Sequence, residues 1–82
     1  MLENSSDQAL EDIVADVFRI VLGMDSFAVD DDFFAAGGGS LLAVDASARL
    51  SEEIGYEVDP FLIFRNPTAV SCAAEITKLS ER

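Results

Sequence analysis

The stretch DDDFFAAGGGSLLAV, residues 30–44, marks the boundary between two different kinds of sequence. Three acidic residues lead into two phenylalanines, and three consecutive glycines then precede Ser40 and an apolar run. Glycine loses more backbone freedom on folding than any other residue, so three in a row cost more entropy than a simple turn requires. The stretch therefore raises three possibilities for Ser40, which are a helix cap, a nucleophile and an attachment point.

The residues after the glycines predict a helix over 40–54. Apolar residues recur there every four positions, which is the spacing of one helix face, and we expect this face to point inward. Gly55 follows at the position where helices commonly end in a left-handed backbone. The inward face consists of Leu42, Ala46, Leu50 and Ile54.

The residues before the glycines predict a first helix over 7–22 and a long loop over 24–39. The helix has an apolar stripe at helical spacing, Ser5 and Gln8 resemble a capping box, and Gly23 is a terminator. A loop of this length is typical of functional or mobile segments. The stripe consists of Leu10, Ile13, Val14, Val17 and Val21, and we expect Phe27, Val29, Phe33 and Phe34 to anchor the loop, the last two in a helical turn.

Two proline-containing stretches predict two more helices. Asp59 and Pro60 form a cap and first residue for a short helix through Phe64, and residues 66–68 start the last helix in the same way. The apolar side of the last helix consists of Val70, Ala73, Ile76 and Leu79, with Cys72 as a small core residue. The fold class is therefore an all-α, small four-helix bundle with three main helices, one short helix and the long loop between helices one and two. We expect one domain over 1–82, with a core of about 8–80.

Composition limits the partners of the chain. The sequence has 16 acidic and 5 basic residues, for a net charge of −11, so we expect no nucleic acid and no anionic membrane as a partner. Half of the residues are hydrophobic, which favours a folded domain over an acidic tail. We find no membrane-spanning run and no signal peptide, and we expect a cytoplasmic monomer.

Several kinds of chemistry are excluded by missing residue types. The sequence has no histidine, so Ser40 cannot belong to a Ser-His-Asp triad. The acids of the loop do not follow the calcium-binding EF-hand pattern, and the glycines lack the Gly-Lys-Ser/Thr ending of a nucleotide loop. Two interpretations of Ser40 remain: an ordinary N-cap serine, or an attachment point that the glycines leave free of neighbouring side chains.

The residues VLGMDSFAVDDDFFAAGGGSLLAVDASARLSEEIGYEVDPFLIFRNPT resemble a carrier protein domain of the peptidyl carrier (thiolation) type from nonribosomal peptide synthesis. The resemblance covers about residues 14–76. It rests on the paired aromatics of DDDFF, the Gly-Gly-x-Ser core with Leu-Leu after it, the helix end at Gly55 and the IFRNPT entry to the last helix, all in the family's order.

The resemblance implies that Ser40 carries a 4′-phosphopantetheine arm, attached from coenzyme A by a phosphopantetheinyl transferase. The arm holds an aminoacyl or acyl group as a thioester and presents it to partner enzymes, so the protein is a non-catalytic carrier. The implied partners are an adenylating ligase and condensation, thioesterase or tailoring enzymes.

Two residues depart from the family's pattern. Gly39 stands where histidine or aspartate is frequent, and Asp45 stands where many modular peptidyl carriers have a basic residue. We expect a free-standing peptidyl carrier. Two alternatives stay open: an acyl carrier for polyketide or fatty-acyl chains, and an acidic helical interaction domain that is never modified.

Helix geometry predicts a partner surface beside Ser40. Residues three and four apart on a helix share a face, so Val44 and Ser47 extend the face of Ser40. The predicted surface consists of Leu41, Val44, Asp45 and Ala48. Phe61 and Phe64 of the short helix are either core residues, or one of them lies at the edge of this partner surface; we expect Phe64 in the core.

Overall fold

Four helices follow one another in the computed structural model, which describes the backbone of residues 2–80 and the side chains of residues 9–80. They are α1 (Leu2–Leu22), α2 (Ser40–Ile54), α3 (Pro60–Arg65) and α4 (Ala69–Ser80). Within residues 2–80 the β-type pairing is limited to one isolated bridge between Asp32 and Thr68. The predicted four-helix bundle with a long loop after the first helix is confirmed.

The first helix is longer than its apolar stripe predicts. It begins at Leu2, so the start predicted at residue 7 is wrong. The predicted capping box consists of Ser5 and Gln8, whose side chains lie outside the side chains that the structure describes. The first turns are polar and give no periodic signal, yet no glycine or proline interrupts them. The helix ends as predicted at Gly23, whose φ of 70° is left-handed.

The hydrogen bonds at that end form a Schellman motif. The Met24 N–H donates to the Arg19 carbonyl at 3.0 Å, and the Gly23 N–H donates to the Ile20 carbonyl at 3.1 Å. These two bonds occupy carbonyls that the end of a helix leaves open. The chain therefore leaves α1 in a fixed direction and enters the long loop.

The core receives side chains from all four helices and from the loop. The ring of Phe18 in α1 packs against two loop rings, at 5.6 Å from Phe27 and 4.6 Å from Phe33 between centroids. Val29 and Phe34 are half-buried against the same core, so all four predicted anchors of the loop are confirmed. The largest fully buried side chains are Phe18, Phe33, Leu50, Ile63, Val14 and Cys72.

The loop is also bonded to the segment before α4. The Phe33 N–H donates to the Pro67 carbonyl at 2.9 Å, and the Val70 N–H donates to the Val29 carbonyl at 3.0 Å. These bonds satisfy backbone groups that the loop and the helix start would otherwise leave open. The loop is thus fixed between α1 on one side and the start of α4 on the other.

The last helix begins later than predicted. It starts at Ala69, and the preceding Asn66 closes α3 instead, since its side-chain amide donates to the Leu62 carbonyl at 3.0 Å. Val70, predicted to face inward, is 39% exposed, and Ala69 is buried in its place. The buried residues Ala69, Cys72, Ala73 and Ile76 have a spacing of three and four, which leaves Val70 off the inward face.

No helix in the described residues combines the length and the apolar composition that crossing a bilayer requires.

Candidate functional site

Ser40 is the first residue of α2 and not its cap. Gly39 occupies the N-cap position with an extended backbone, at φ −144° and ψ −171°, and no side chain caps the helix start. The first helical bond runs from the Ala43 N–H to the Gly39 carbonyl at 2.8 Å. The N-cap interpretation of Ser40 is therefore wrong: in the described part of the chain its hydroxyl has no hydrogen-bond partner, and the residue is exposed.

The three glycines before Ser40 differ in what the structure requires of them. Gly37 has a φ of 115°, which side chains disfavour. A Cβ on Gly38 would lie 2.5 Å from Cδ2 of Phe33 and 2.8 Å from the Phe33 carbonyl oxygen. A Cβ on Gly39 would meet nothing within 4 Å. Two of the glycines are thus needed by the backbone path, and the third is not.

A helical turn over residues 32–37 leads into the glycines. One carboxylate oxygen of Asp32 accepts the N–H groups of Phe34 and Ala35, at 2.8 and 2.9 Å. The Ala36 N–H donates to the Asp32 carbonyl at 3.0 Å, and the Gly37 N–H donates to the Phe34 carbonyl at 3.1 Å. The turn predicted at Phe33 and Phe34 is confirmed, and Asp32 is the side chain that starts it.

The acidic run is part of the loop's own hydrogen bonding. Besides Asp32, Asp31 accepts the Ala28 N–H on its carboxylate at 2.9 Å. Among the residues described, no group of three acidic, cysteine or histidine side chains is arranged to hold a metal ion. The first turn of α2 carries no acidic side chain, so the positive end of its dipole is not neutralised there.

The face of α2 beside Ser40 is apolar and exposed. Leu41 is 86% exposed and Val44 is 52% exposed. Asp45 and Ala48 are also exposed, and the Asp45 carboxylate lies 3.5 Å from Arg49 Nε. Ser47, predicted for the same face, is instead buried, and its hydroxyl donates to the Val44 carbonyl at 2.8 Å. That bond satisfies the hydroxyl, which is why a serine can occupy an inward position.

The short helix α3 exposes both of its phenylalanines, whereas the sequence predicted Phe64 to lie in the core. Phe64 is 40% exposed, so its prediction as a core residue is wrong, and its ring stacks on Phe34 at 5.3 Å and 8°. Phe61 is 65% exposed and lies 5.9 Å from Phe64. The helix has six residues, and Leu62 and Ile63 take its inward positions. The only available signal was this helical phase, which places residues 61 and 64 together on the outer side.

The one thiol of the chain is inert in this fold. Cys72 is fully buried in α4, and burial raises the pKa of its thiol to about 12. A thiol reacts as the thiolate, so Cys72 is not a nucleophile at neutral pH. This confirms its prediction as a core residue and excludes the thiol as the nucleophile for a modification.

Comparison with known proteins identifies the family. The family model described as "Phosphopantetheine attachment site" matches residues 8–76. The chain belongs to this family. It is a carrier protein domain of a family that binds 4′-phosphopantetheine, and the resemblance predicted from the sequence is confirmed.

Individual relatives agree with the peptidyl carrier type. The chain is 39% identical over 66 residues, 80% of its length, to a dimodular nonribosomal peptide synthase of Bacillus subtilis. Among solved structures it is 28% identical, with a TM-score of 0.77, to a structure of the phosphopantetheine transferase Sfp in complex with coenzyme A and a peptidyl carrier protein. That match covers 84% of this chain and 90% of the other.

A further match is to BlmI, a type-II acyl-carrier-protein from Streptomyces verticillus involved in bleomycin biosynthesis. It is 26% identical with a TM-score of 0.89, and the match covers 94% of this chain and 93% of that one. The curated relatives are far longer: the chain spans between 1% and 5% of the length of the first ones it matches. The family therefore identifies the kind of domain. It does not identify the cargo or the partner enzymes.

Proposed function

We propose that Ser40 is the attachment residue for 4′-phosphopantetheine and that the chain works as a peptidyl carrier. The observation that carries the proposal is the exposed Ser40 hydroxyl, which has no intramolecular hydrogen bond in the described residues and stands at the first position of α2. A hydroxyl that bonds nothing within the fold can react without loss of stability. Ser40 is also the serine of the Gly-Gly-x-Ser core.

The surroundings of Ser40 fit the phosphodiester of this group. The N–H groups at the start of a helix have no helical partner and favour negative charge. Neither a cap side chain nor an acidic residue in the first turn of α2 competes for them. When bound, the group supplies a thiol on a long flexible arm, on which an aminoacyl or acyl cargo is held as a thioester.

The chain's own part in the attachment is limited to one oxygen. The bond that forms joins Ser40 Oγ to the phosphorus of the phosphopantetheine phosphate. The bond that breaks is the P–O bond of the coenzyme A diphosphate, and adenosine 3′,5′-bisphosphate leaves. We propose that the proton of the hydroxyl passes to a base on the transferase, since the first turn of α2 carries no acidic side chain and the sequence has no histidine. We therefore propose a non-catalytic carrier whose reactions belong to its partner enzymes.

The proposal includes the partners and setting of the carrier. They are a phosphopantetheinyl transferase, an adenylating ligase that loads the cargo, and condensation, thioesterase or tailoring enzymes. We propose a single domain that works as a free-standing cytoplasmic monomer. A single buried cysteine, which needs no disulfide, is compatible with a reducing compartment.

The proposed partner surface consists of Leu41, Val44, Asp45 and Ala48. Its support is the exposure of Leu41 and Val44 directly after Ser40. Exposed apolar side chains grouped around a reactive residue are typical of contact surfaces. The aromatic side chains of Phe61 and Phe64 enlarge the exposed apolar area on α3.

The attachment is tested with coenzyme A, a broad-specificity phosphopantetheinyl transferase and intact-protein mass spectrometry. The wild-type chain should gain one phosphopantetheine, and Ser40→Ala should gain none. Ser26→Ala, which removes another exposed serine, is the matched control and should be loaded like wild type. An unmodified wild-type chain would favour an interaction domain, and a modified Ser40→Ala would move the attachment to another residue.

The same assay tests the partner surface. Leu41→Glu should slow loading by about tenfold or more, because it places a charge in an apolar contact. Ile20→Glu is the control, since Ile20 is 48% exposed on α1 and the change in charge is equal. Equal loading rates for the two variants would contradict the surface.

An acyl carrier is the second candidate, and the similarity to the acyl-carrier-protein BlmI favours it. The cargo distinguishes the two. A peptidyl carrier should accept an aminoacyl group from an adenylating ligase, whereas an acyl carrier should be loaded with a polyketide or fatty-acyl chain.

A further inference from the structure

The backbone of Gly38 lies directly against the side chain of Phe33. A Cβ on Gly38 would collide with ring atoms Cε2 and Cδ2 of Phe33, and it would lie 2.8 Å from the Phe33 carbonyl oxygen. The Gly38 N–H donates to that same carbonyl at 2.9 Å. One residue thus holds Gly38 in two ways, by contact with its ring and by a backbone hydrogen bond.

Phe33 is itself fixed from several sides. It is fully buried, and its ring lies 4.6 Å from that of Phe18 in α1 and 5.2 Å from that of Phe34. Its N–H donates to the Pro67 carbonyl just before α4. The position of Gly38 is therefore set relative to α1 and to the start of α4.

Only Gly39 separates this contact from Ser40. Consecutive Cα atoms lie about 3.8 Å apart, so the position of Gly38 constrains the path by which the backbone enters α2. Gly39 has open space on its side-chain side, with no atom within 4 Å of where a Cβ would lie, so packing at this residue does not fix that path. Ser40 is thus held from two sides: by the buried Ala43 within α2 and, on the loop side, by the contact of Gly38 with Phe33.

We propose that Phe33 is a positioning residue for the attachment reaction: its ring and carbonyl seat Gly38 and thereby hold the Ser40 hydroxyl where the transferase needs it. The inference rests on the proposed function of Ser40. It assigns Phe33 a role beyond the core, and it explains why Gly38 must be glycine when Gly39 need not be. A misplacement of about 1 Å in a reacting group can reduce a rate by about a hundredfold.

The test measures the rate of phosphopantetheine attachment to the full chain over a range of carrier concentrations, with melting recorded by circular dichroism. Phe33→Leu should lower kcat by about tenfold or more, because leucine leaves Gly38 without a ring to rest on. The KM for the carrier should stay near its wild-type value, because the exposed face of α2 is unchanged. A variant that was merely less folded would instead raise the apparent KM, since only the folded fraction binds.

Ile76→Val is the matched control. Ile76 is also buried in the core, but it lies on α4 about two turns after the helix start. Ile76→Val should lower the melting temperature, as Phe33→Leu does, and keep its kcat within about threefold of wild type. Equal losses of kcat in the two variants, or a wild-type kcat in Phe33→Leu, would overturn the proposal.

A second pair of variants tests the contact from the glycine side. Gly38→Ala should lower kcat, and Phe33→Leu added to it should restore part of that loss by making room for the methyl group. If Gly38→Ala alone does not fold, the comparison of Phe33→Leu with Ile76→Val still decides. A wild-type chain that is not modified at all refutes the function of Ser40, whereas a modified wild type with no kcat effect in Phe33→Leu refutes only the role of Phe33.

Discussion

The start of α2 and the start of α4 have the same first backbone hydrogen bond but differ in side-chain capping. Both begin with a bond from the fourth helical residue to the cap residue at 2.8 Å, from Ala43 to Gly39 and from Cys72 to Thr68. At α4 the Thr68 hydroxyl accepts the Ser71 N–H at 3.1 Å. At α2 no side chain caps the helix. The fold therefore caps the first N–H groups of α4 with a side chain and leaves those of α2 uncapped.

The nucleophiles of the two starts differ in the same way. Ser40 is exposed at the first position of α2, whereas Cys72 is fully buried at the fourth position of α4. A thiol is intrinsically the better nucleophile, but burial keeps it protonated and out of reach. The comparison teaches that location, and not intrinsic reactivity, determines which of the two side chains is open to modification.

The largest expected effect concerns the alkylation of Cys72. The pKa of its thiol is raised from 9.0 to about 12, a difference of about 3 that leaves about a thousandfold less thiolate near neutral pH. Iodoacetamide at about pH 8 should therefore label the folded, unmodified chain about a thousandfold more slowly than the chain in urea, as measured by intact mass. Folded-state labelling within about tenfold of the urea rate would show that the start of α4 is not closed.

The same pKa gives stability a defined pH dependence. Because the folded state holds the thiol proton more tightly, this contribution is fully present below about pH 9. It is lost as the pH rises from about 9 towards about 12, since the unfolded chain releases its proton first. Cys72→Ala should reduce that loss, which urea unfolding at about pH 8 and about pH 10.5 would measure.

The next effect compares the two starts directly. Thr68→Ala should lower the free energy of unfolding by about 1 kcal/mol, because Ser71 and Thr68 also bond through their side chains at 2.8 Å. In a domain of this size that is a fall of about 4–8 °C in melting temperature. Ser40→Ala should change the free energy by no more than about 0.5 kcal/mol, because no side-chain bond is lost. Thr68→Ser, which keeps the hydroxyl, is the control.

Equal destabilisation by Thr68→Ala and Ser40→Ala would contradict the difference between the two helix starts. It would mean that the Ser40 hydroxyl stabilises α2 in the folded protein. In that case the modification would have to displace a bond, and the argument for a free hydroxyl would fail.

The sequence predicted those features of the fold that depend on a few neighbouring residues. The end of α2 at Gly55 and the cap of α3 by Asp59 are confirmed: Gly55 is left-handed at φ 69°, and the Asp59 carboxylate accepts the Phe61 N–H at 2.9 Å. Both depend on residue types that act within one turn of the helix. The carrier family was also predicted and is confirmed, because several motifs stand in the family's order; Ser40 as the attachment residue stays a prediction.

What the sequence did not predict depends on tertiary packing. A serine N-cap would start α2 at Leu41, but glycine also suits the N-cap, so the helix begins one residue earlier, at Ser40. Phe64 faces outward because Leu62 and Ile63 fill the space that α3 has towards the core. Ser47 is buried because its hydroxyl finds a carbonyl within its own helix. The contact between Gly38 and Phe33 joins two residues that no helical or strand period relates.

The smallest expected effect concerns Gly39 itself. Its φ of −144° is extended backbone that any residue adopts, and a Cβ there meets nothing within 4 Å. Gly39→Asn should therefore fit, and its side-chain oxygen can accept the N–H of Leu41 or Leu42. We expect a gain of a few tenths of a kcal/mol, which is about 1–3 °C in melting temperature. Gly39→Ala, which adds a Cβ without an acceptor, should be less stable than wild type.

The sign of the Gly39→Asn effect decides whether α2 begins with an open N-terminus. If the N–H groups of Leu41 and Leu42 are free, an added cap stabilises the helix; if another group already holds them, asparagine gains nothing. A melting temperature equal to that of Gly39→Ala would thus contradict the open start. With the gain confirmed, glycine at position 39 leaves these N–H groups without a side-chain partner, and they stay open to the phosphodiester proposed for Ser40.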